Sequence, residues 1–290
     1  MKKILVLLFT ILGVNQLFAR GTLDLVNTQT LDMNLVETLR ISYSSDNIVL
    51  LESNDNNLIL KEFMTRNRPE YFANIYNSQS VLSISNGERP WQIRTRIEVY
   101  IPKTFTDNLI VNLRSGNLTA NYGMSHKTIN ISVSSGNLEI NSISSENAVV
   151  EVSSGNITID ELIVKDLSVR SGSGNIKINS FQGEASIVNR SGNIAVNNFV
   201  GKGTLEVRSG NIDLTVNDII GDITLSSNSG NIDFIMGRNI SFILDAEVGS
   251  GNVRIPNLTG QIKTIAKYNI GLNPIYGVFA KCGSGNFNIR

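Results

Sequence analysis

Residues 191–196 read Ser-Gly-Asn-Ile-Ala-Val, and the tripeptide that opens this stretch decides the fold because it occurs nine times. The asparagines are Asn117, Asn137, Asn156, Asn175, Asn193, Asn211, Asn231, Asn252 and Asn286, each followed by an aliphatic residue except the last, which precedes Phe287. Successive copies lie 20, 19, 19, 18, 18, 20, 21 and 34 residues apart. A period this steady belongs to a chain that winds into stacked, near-identical coils.

With the Asn of each copy as zero, positions plus one and plus three are apolar throughout, from Leu118 and Ala120 to Phe287 and Ile289. Alternation of period two with β-branched side chains predicts a strand with one buried face. Ahead of the motif the alternation returns at minus six and minus four, as in Val111/Leu113, Ile131/Val133 and Leu205/Val207, so a second strand leads into the corner. In the copies with Leu167/Val169 and Ile223/Leu225 the pair sits two residues earlier, which predicts a longer corner there. A larger apolar residue at plus six (Ile143, Leu162, Phe181, Phe199, Leu258) is expected to fill the space between the strands. The expected fold class is therefore all-β: a single-stranded parallel β-helix, or β-solenoid, of about nine coils at a spacing of about 4.8 Å. Right-handed winding is expected, since right-handed crossovers dominate parallel pairings.

The corner chemistry follows from the residue types. Gly takes a positive φ without steric cost, and Asn tolerates the left-handed region. Stacked in register, the Asn amides could bond to one another along the file. A row of ligands for a metal or glycan is the other reading, but neutral amides bind hard cations poorly without carboxylates beside them.

Outside residues 108–290 the pattern loosens. Leu39, Ile41 and Tyr43 followed by Asn47, Ile48 and Leu50 keep the repeat's offsets, with Asp46 in place of Gly, which predicts a degenerate first coil. Segments 81–84 and 93–101 also read as strands, and residues 20–107 are expected to form degenerate strands and an irregular cap. Asn67 to Phe72 begins a predicted short helix, and this aromatic stretch near 69–76 is expected to cover the open end of the stack, a membrane-touching or partner-docking patch being the sharper alternative. At the start, Lys2 and Lys3 precede an apolar or small run from Ile4 to Val14 and then Ala19, the order of a secretory signal peptide over residues 1–19. No other apolar run is long enough for a membrane span.

The chain has 25 basic and 25 acidic residues, scattered rather than blocked, so no electrostatic pull toward nucleic acid is expected. A lone Cys282 can close no intramolecular disulfide; it falls at an inward position, where a buried thiol is expected. The sole His, His126, lies in a Gly-Met-Ser-His-Lys stretch and reads as an exposed turn residue. Along the outward plus-two row Asp213 and Asp233 would stand one coil apart, with Arg254 next, and Glu206 lies near Arg208. Such a mixed-sign row reads as solvated ion pairs. No catalytic, cofactor-binding or metal-binding residue is assigned, and no cofactor is expected.

An exported N-terminus, a strand closing on Ile101-Pro102-Lys103 and then serial Ser-Gly-Asn coils to the end of the chain resemble a bacterial family of putative adhesins with β-strand repeats, a domain of unknown function. The resemblance spans residues 35–290 and implies a β-solenoid in the cell envelope or outside the cell, with no catalytic residues. Two function classes remain: an exported non-enzymatic adhesin or envelope scaffold that binds a protein or glycan partner in the periplasm, on the outer surface or outside the cell, and a β-helix carbohydrate-active enzyme, a polysaccharide lyase or hydrolase. The enzyme would need clustered carboxylates on adjacent coils.

Overall fold

The computed structural model describes residues 22–255 and 265–290. The signal-peptide expectation and Leu258 lie outside the described residues. The described chain is all-β save for a single 3-10 turn at Pro69–Tyr71. Its parallel strands stack into a β-solenoid in which equivalent residues of successive coils pair one to one. Leu138 faces Ile157, Ile157 faces Ile176, and Ile176 faces Ile194.

Each inward position of the repeat builds one column of the core. Ile157, Ile176, Ile194, Ile212 and Ile232 are sealed from solvent, as are Ile159, Ile178, Val196, Leu214 and Phe234 beside them. A further column holds Met124, Ile143, Leu162, Phe181, Phe199 and Val216, all buried, with the Phe181 and Phe199 rings stacked at 5.0 Å. Burial of one such side chain is worth about 1.5 to 3 kcal/mol. Cooperative gain along one axis thus stabilises a fold that lacks any disulfide.

The corner glycines are required twice over. Gly192 has a φ of +118°, and a Cβ there would overlap the carbonyl oxygen of Gly174 one coil away. The backbone N–H of Gly192 donates to Ser209 of the next coil at 3.0 Å, and that of Ile194 donates to Asn211 at 2.9 Å. Between them the N–H of Asn193 points the other way, to Oδ1 of Asn175 at 2.9 Å. The asparagine file is therefore a ladder of side-chain oxygens accepting from backbone N–H groups, and not the expected chain of amide-to-amide bonds. The amide oxygen meets a backbone donor that the turned Gly carbonyl of the neighbouring coil leaves without an acceptor.

Nine such bonds join ten asparagines: Asn47, the seven from Asn117 to Asn231, then Asn286 and finally Asn252. The order of that file corrects the simple reading of the repeats, because at both ends stack order departs from chain order. Gly277–Ser284 lies between the Asp222–Ser229 part of one coil and Phe242–Ser250, so the last coil of the sequence is the last but one of the stack. At the other end Val81–Ser85 and Thr95–Pro102 lie outside Thr38–Ser45 and Asn47–Ser53, which in turn pair with Asn108–Ser115 and Leu118–Ala120. Antiparallel strands cover both terminal edges: Asn57–Met64 pairs with Thr95–Pro102, Asn74–Ser78 with Val81–Ser85, and Ile265–Ile270 with Phe242–Ser250. Paired edges present fewer free backbone groups for unwanted strand addition.

Two further expectations change. The longer corners at Asn175 and Asn231 are absent, for Val169 and Ser171 continue in register with Val150 and Val152, and Leu225 and Ser227 with Leu205 and Val207. The inward minus-four side chain is simply polar in three sites, Ser171, Asn189 and Ser227. Asn189 and Ser227 are accommodated by donating to the corner carbonyls of Gly174 and Gly210, at 2.8 and 3.1 Å. The short helix reduces to the 3-10 turn at Pro69–Tyr71, and residues 74–78 form a strand. Tyr71 packs with Met64 and Ile93 in a small satellite cluster, while Tyr76 is exposed.

Asp46 has a structural role at the start of the file. Below this corner lies no further Ser-Gly-Asn, so a side chain fits where the other coils must have Gly. The carboxylate accepts from Arg89 at 2.8 Å and from the Thr95 hydroxyl, in a buried group completed by Glu62 and Tyr43. Glu62 accepts from Asn27 at 2.8 Å and from the Ala73 N–H. Burial pushes the Glu62 carboxyl above its ordinary range, with Asn27, Ala73 and Arg89 opposing.

Candidate binding face

The corner opposite the asparagine file carries a broad concavity. There the backbone turns once per coil between the plus-six column and the second strand. The turns at Thr106–Asp107, Ser125–Lys127, Ser144–Glu146 and Val164–Lys165 lie side by side along a groove of about 760 Å³. Pairing of Asn108 with Thr128, Thr128 with Asn147 and Asn147 with Asp166 fixes the register of the residue just before each. That column reads Asp107, Lys127, Glu146, Lys165: four exposed side chains of alternating sign, none within ion-pair distance of another in the described structure. Ser125, Ser144, Gln182 and the exposed Ile163 and Ile220 complete the lining.

His126 forms the floor. It is buried rather than exposed, with its ring 5.5 Å from that of Phe105 and its Nε2 3.4 Å from the Tyr122 hydroxyl. The cause is one extra residue in the Asn117 coil near residues 121–122, visible as a break in register against Ile140–Ser142. Beyond it His126 shares the column of Ser145 and Val164. Burial lowers the imidazole to about 4, against smaller opposing effects of the Phe105 backbone and Asp107. A neutral ring results, and the sequence signal that gives this away is the 20-residue interval where the next two are 19.

The structure separates the other candidates from this groove. Asp213 and Asp233 are register neighbours on the asparagine side, as expected, but the next rung is Asn288 and not Arg254. Asn288 donates to Asp233 at 3.0 Å and Arg290 approaches the same carboxylate at 3.0 Å. Desolvation, and then the charge of Asp233, raises the Asp213 carboxyl, with Arg290 opposing. Asp233 is thereby committed to two partners and unsuited to proton transfer with Asp213. Cys282 is buried in its inward column, and burial pushes its thiol up to about 11. A thiol held so far from ionisation is a poor nucleophile. Neither a group of acids and histidines able to hold a metal nor a helix long and apolar enough to cross a membrane occurs among the described residues.

Residues 36–290 match the family model of the Toastrack DUF4097 domain. The chain belongs to the Toastrack DUF4097 family. No curated protein matches it. Among solved structures, this Toastrack chain is similar to a putative lipid binding protein from Parabacteroides distasonis ATCC 8503, at 13% identity and a TM-score of 0.55, covering 93% of this chain and 98% of the other. It is also similar to a putative adhesin from Bacteroides fragilis NCTC 9343, at 13% identity and a TM-score of 0.45, covering 94% and 99% of the two chains. A putative adhesin from Parabacteroides merdae ATCC 43184 matches at 10% identity and a TM-score of 0.40 over 93% and 97%. At these identities the first likeness bears on fold alone, and it agrees with the Toastrack solenoid.

Proposed function

We propose that this Toastrack protein is an exported, non-enzymatic adhesin or envelope binding protein whose lateral groove holds a protein or glycan partner, in the periplasm or at the cell surface. The observation that carries the reading is the alternating column Asp107, Lys127, Glu146, Lys165, set about 4.8 Å apart on a rigid stack and left without ion-pair partners among the described residues. Uncommitted charges and hydroxyls on consecutive coils suit an extended, polar partner laid along the solenoid axis. Many weak contacts in register give such a partner both affinity and orientation. Export rests on the basic and apolar N-terminal order of residues 1–19.

The lyase or hydrolase alternative gains no support from the geometry of its best acids. Neither Asp213 nor Asp233 lines the groove, and Asn288 and Arg290 occupy Asp233. The test is a glycan and matrix-protein binding array with the mature protein, followed by Lys127→Glu/Lys165→Glu. A hit weakened at least tenfold by the double variant, with an unchanged melting midpoint, supports the groove; a hit insensitive to both substitutions moves the site elsewhere. Turnover of an acidic polysaccharide, abolished by Asp213→Asn, would overturn the non-enzymatic reading.

A further inference from the structure

The last coil is an insertion. The chain leaves the Asn252 coil, adds Ile265–Ile270 antiparallel to the outer edge of Phe242–Ser250, turns through residues 271–276 and re-enters on the inner edge of that same strand. Ile270 pairs with Phe242 on one side and Gly277 with Ile243 on the other, so the loop crosses two ladder spacings, about 9.6 Å. Everything beyond it, Gly277 to Arg290, occupies a slot between two coils. Its contacts there are of the repeat's own kind. Asn286 donates to Asn231 at 2.9 Å, Asn252 donates to Asn286 at 3.1 Å, Asn288 bonds Asp233, and the Gly277 N–H bonds Asp222 at 2.7 Å.

From this topology we propose that Gly277–Arg290 exchanges between two copies of the chain, each copy's terminal coil filling the slot of the other. The occupant is set by the slot: it requires a Ser-Gly-Asn corner at the right distance from two inward strands, and a second copy supplies that segment with every bond conserved. One loop connects the segment to the body, which is the topological condition for exchange at low cost. The loop also carries exposed apolar surface. Leu272 is 86% and Ile275 81% exposed; Ile243 and Tyr276, joined by a backbone hydrogen bond, and Phe279, whose ring lies against Gly277 where the loop ends, are each more than a third exposed. A two-fold dimer brings two such loops together and removes this cluster from water, a gain that the closed monomer lacks. Exchange leaves the groove untouched, so this inference stands independently of the proposed function.

The test uses the full-length mature chain with Cys282→Ala and one added cysteine, Ser229→Cys in the first protein and Ser284→Cys in the second. Ser229 and Ser284 are exposed register partners across the slot, at a spacing compatible with a disulfide. The two proteins are unfolded together, refolded at high concentration, diluted and oxidised. Exchange predicts that the mixed disulfide, joining the first protein to the second, is the dominant covalent dimer on non-reducing gels, with concentration-dependent dimer on size exclusion. Removal of Asn273 and Pro274, which leaves Leu272, Ile275 and Tyr276 in place, should shift the balance further to dimer, and six added Gly/Ser residues at the same place should return it to monomer, since a strained hinge favours exchange. A statistical mixture of the three cross-linked dimers, or a folded monomer from the shortened loop at all concentrations, overturns the proposal.

Discussion

Asn286 donates its backbone N–H to Oδ1 of Asn231, 55 residues earlier, at 2.9 Å, while Asn252, nearer in sequence, takes the rung beyond. Corners with the same Ser-Gly-Asn chemistry are thus interchangeable in kind, and the contacts flanking them fix their order.

Because each file asparagine accepts from the backbone of the next coil, Asn193→Ala deprives the Asn211 N–H of its 2.8 Å acceptor while leaving Asn175 fully bonded. Asn193 is exposed, so water can replace part of the bond, and the expected loss is about 0.5 to 1.5 kcal/mol in urea unfolding. Asn193→Asp keeps the oxygen and should lose less.

Gly192→Ala is expected to be far worse than its size suggests. The left-handed φ alone costs about 1 to 3 kcal/mol, and the overlap of the new Cβ with the Gly174 carbonyl adds a cost of the same order. A drop in the denaturation midpoint no greater than that of Asn193→Ala would show that the corner can open without disturbing its neighbours.

Ile194 is sealed in the core and Ala195 faces outward. Ile194→Ala should destabilise by about 2 to 5 kcal/mol and Ala195→Thr by under about 0.5 kcal/mol. Equal sensitivity in a paired melting series would contradict the register.

His126 gives the fold an acid limit. Its ordinary value of 6.5 falls to about 4 in the folded chain. A depressed imidazole contributes stability that is present above the unfolded value and lost as pH falls from 6.5 toward 4. At about 1.4 kcal/mol per pH unit the full contribution is about 3 kcal/mol. His126→Phe, against Phe105, should flatten the stability profile over that window, as read by thermal melts across it.

The regular middle of the solenoid is legible in the sequence because its signal is repeated: Ile157, Ile176, Ile194 and Ile212 hold the same offset from the same corner, and one residue's accident cannot blur nine copies. The ends are not legible. Nothing local in Ser250-Gly251-Asn252 or Ser284-Gly285-Asn286 ranks one above the other as a neighbour for Asn231; that choice is made by Asp222, Asp233 and Arg290, whose roles appear only in three dimensions. His126 reads wrongly as exposed because its turn-like neighbours hide a single inserted residue that carries it inward. The column from Asp107 to Lys165, without ion pairs among the described residues, escapes the sequence because its members are spread over 59 residues and no short motif joins them.

Asparagine bonds in the file all run one way, each donor belonging to the coil farther from Asn47. The stack therefore has a vector, and two copies could prolong the file only head to tail. Such an arrangement has no closing operation and leads to a filament. The antiparallel strands at both poles, Asn57–Met64 with Asp24–Asp32 beyond it at one and Ile265–Ile270 at the other, act as terminators that keep a polymerisable repeat finite.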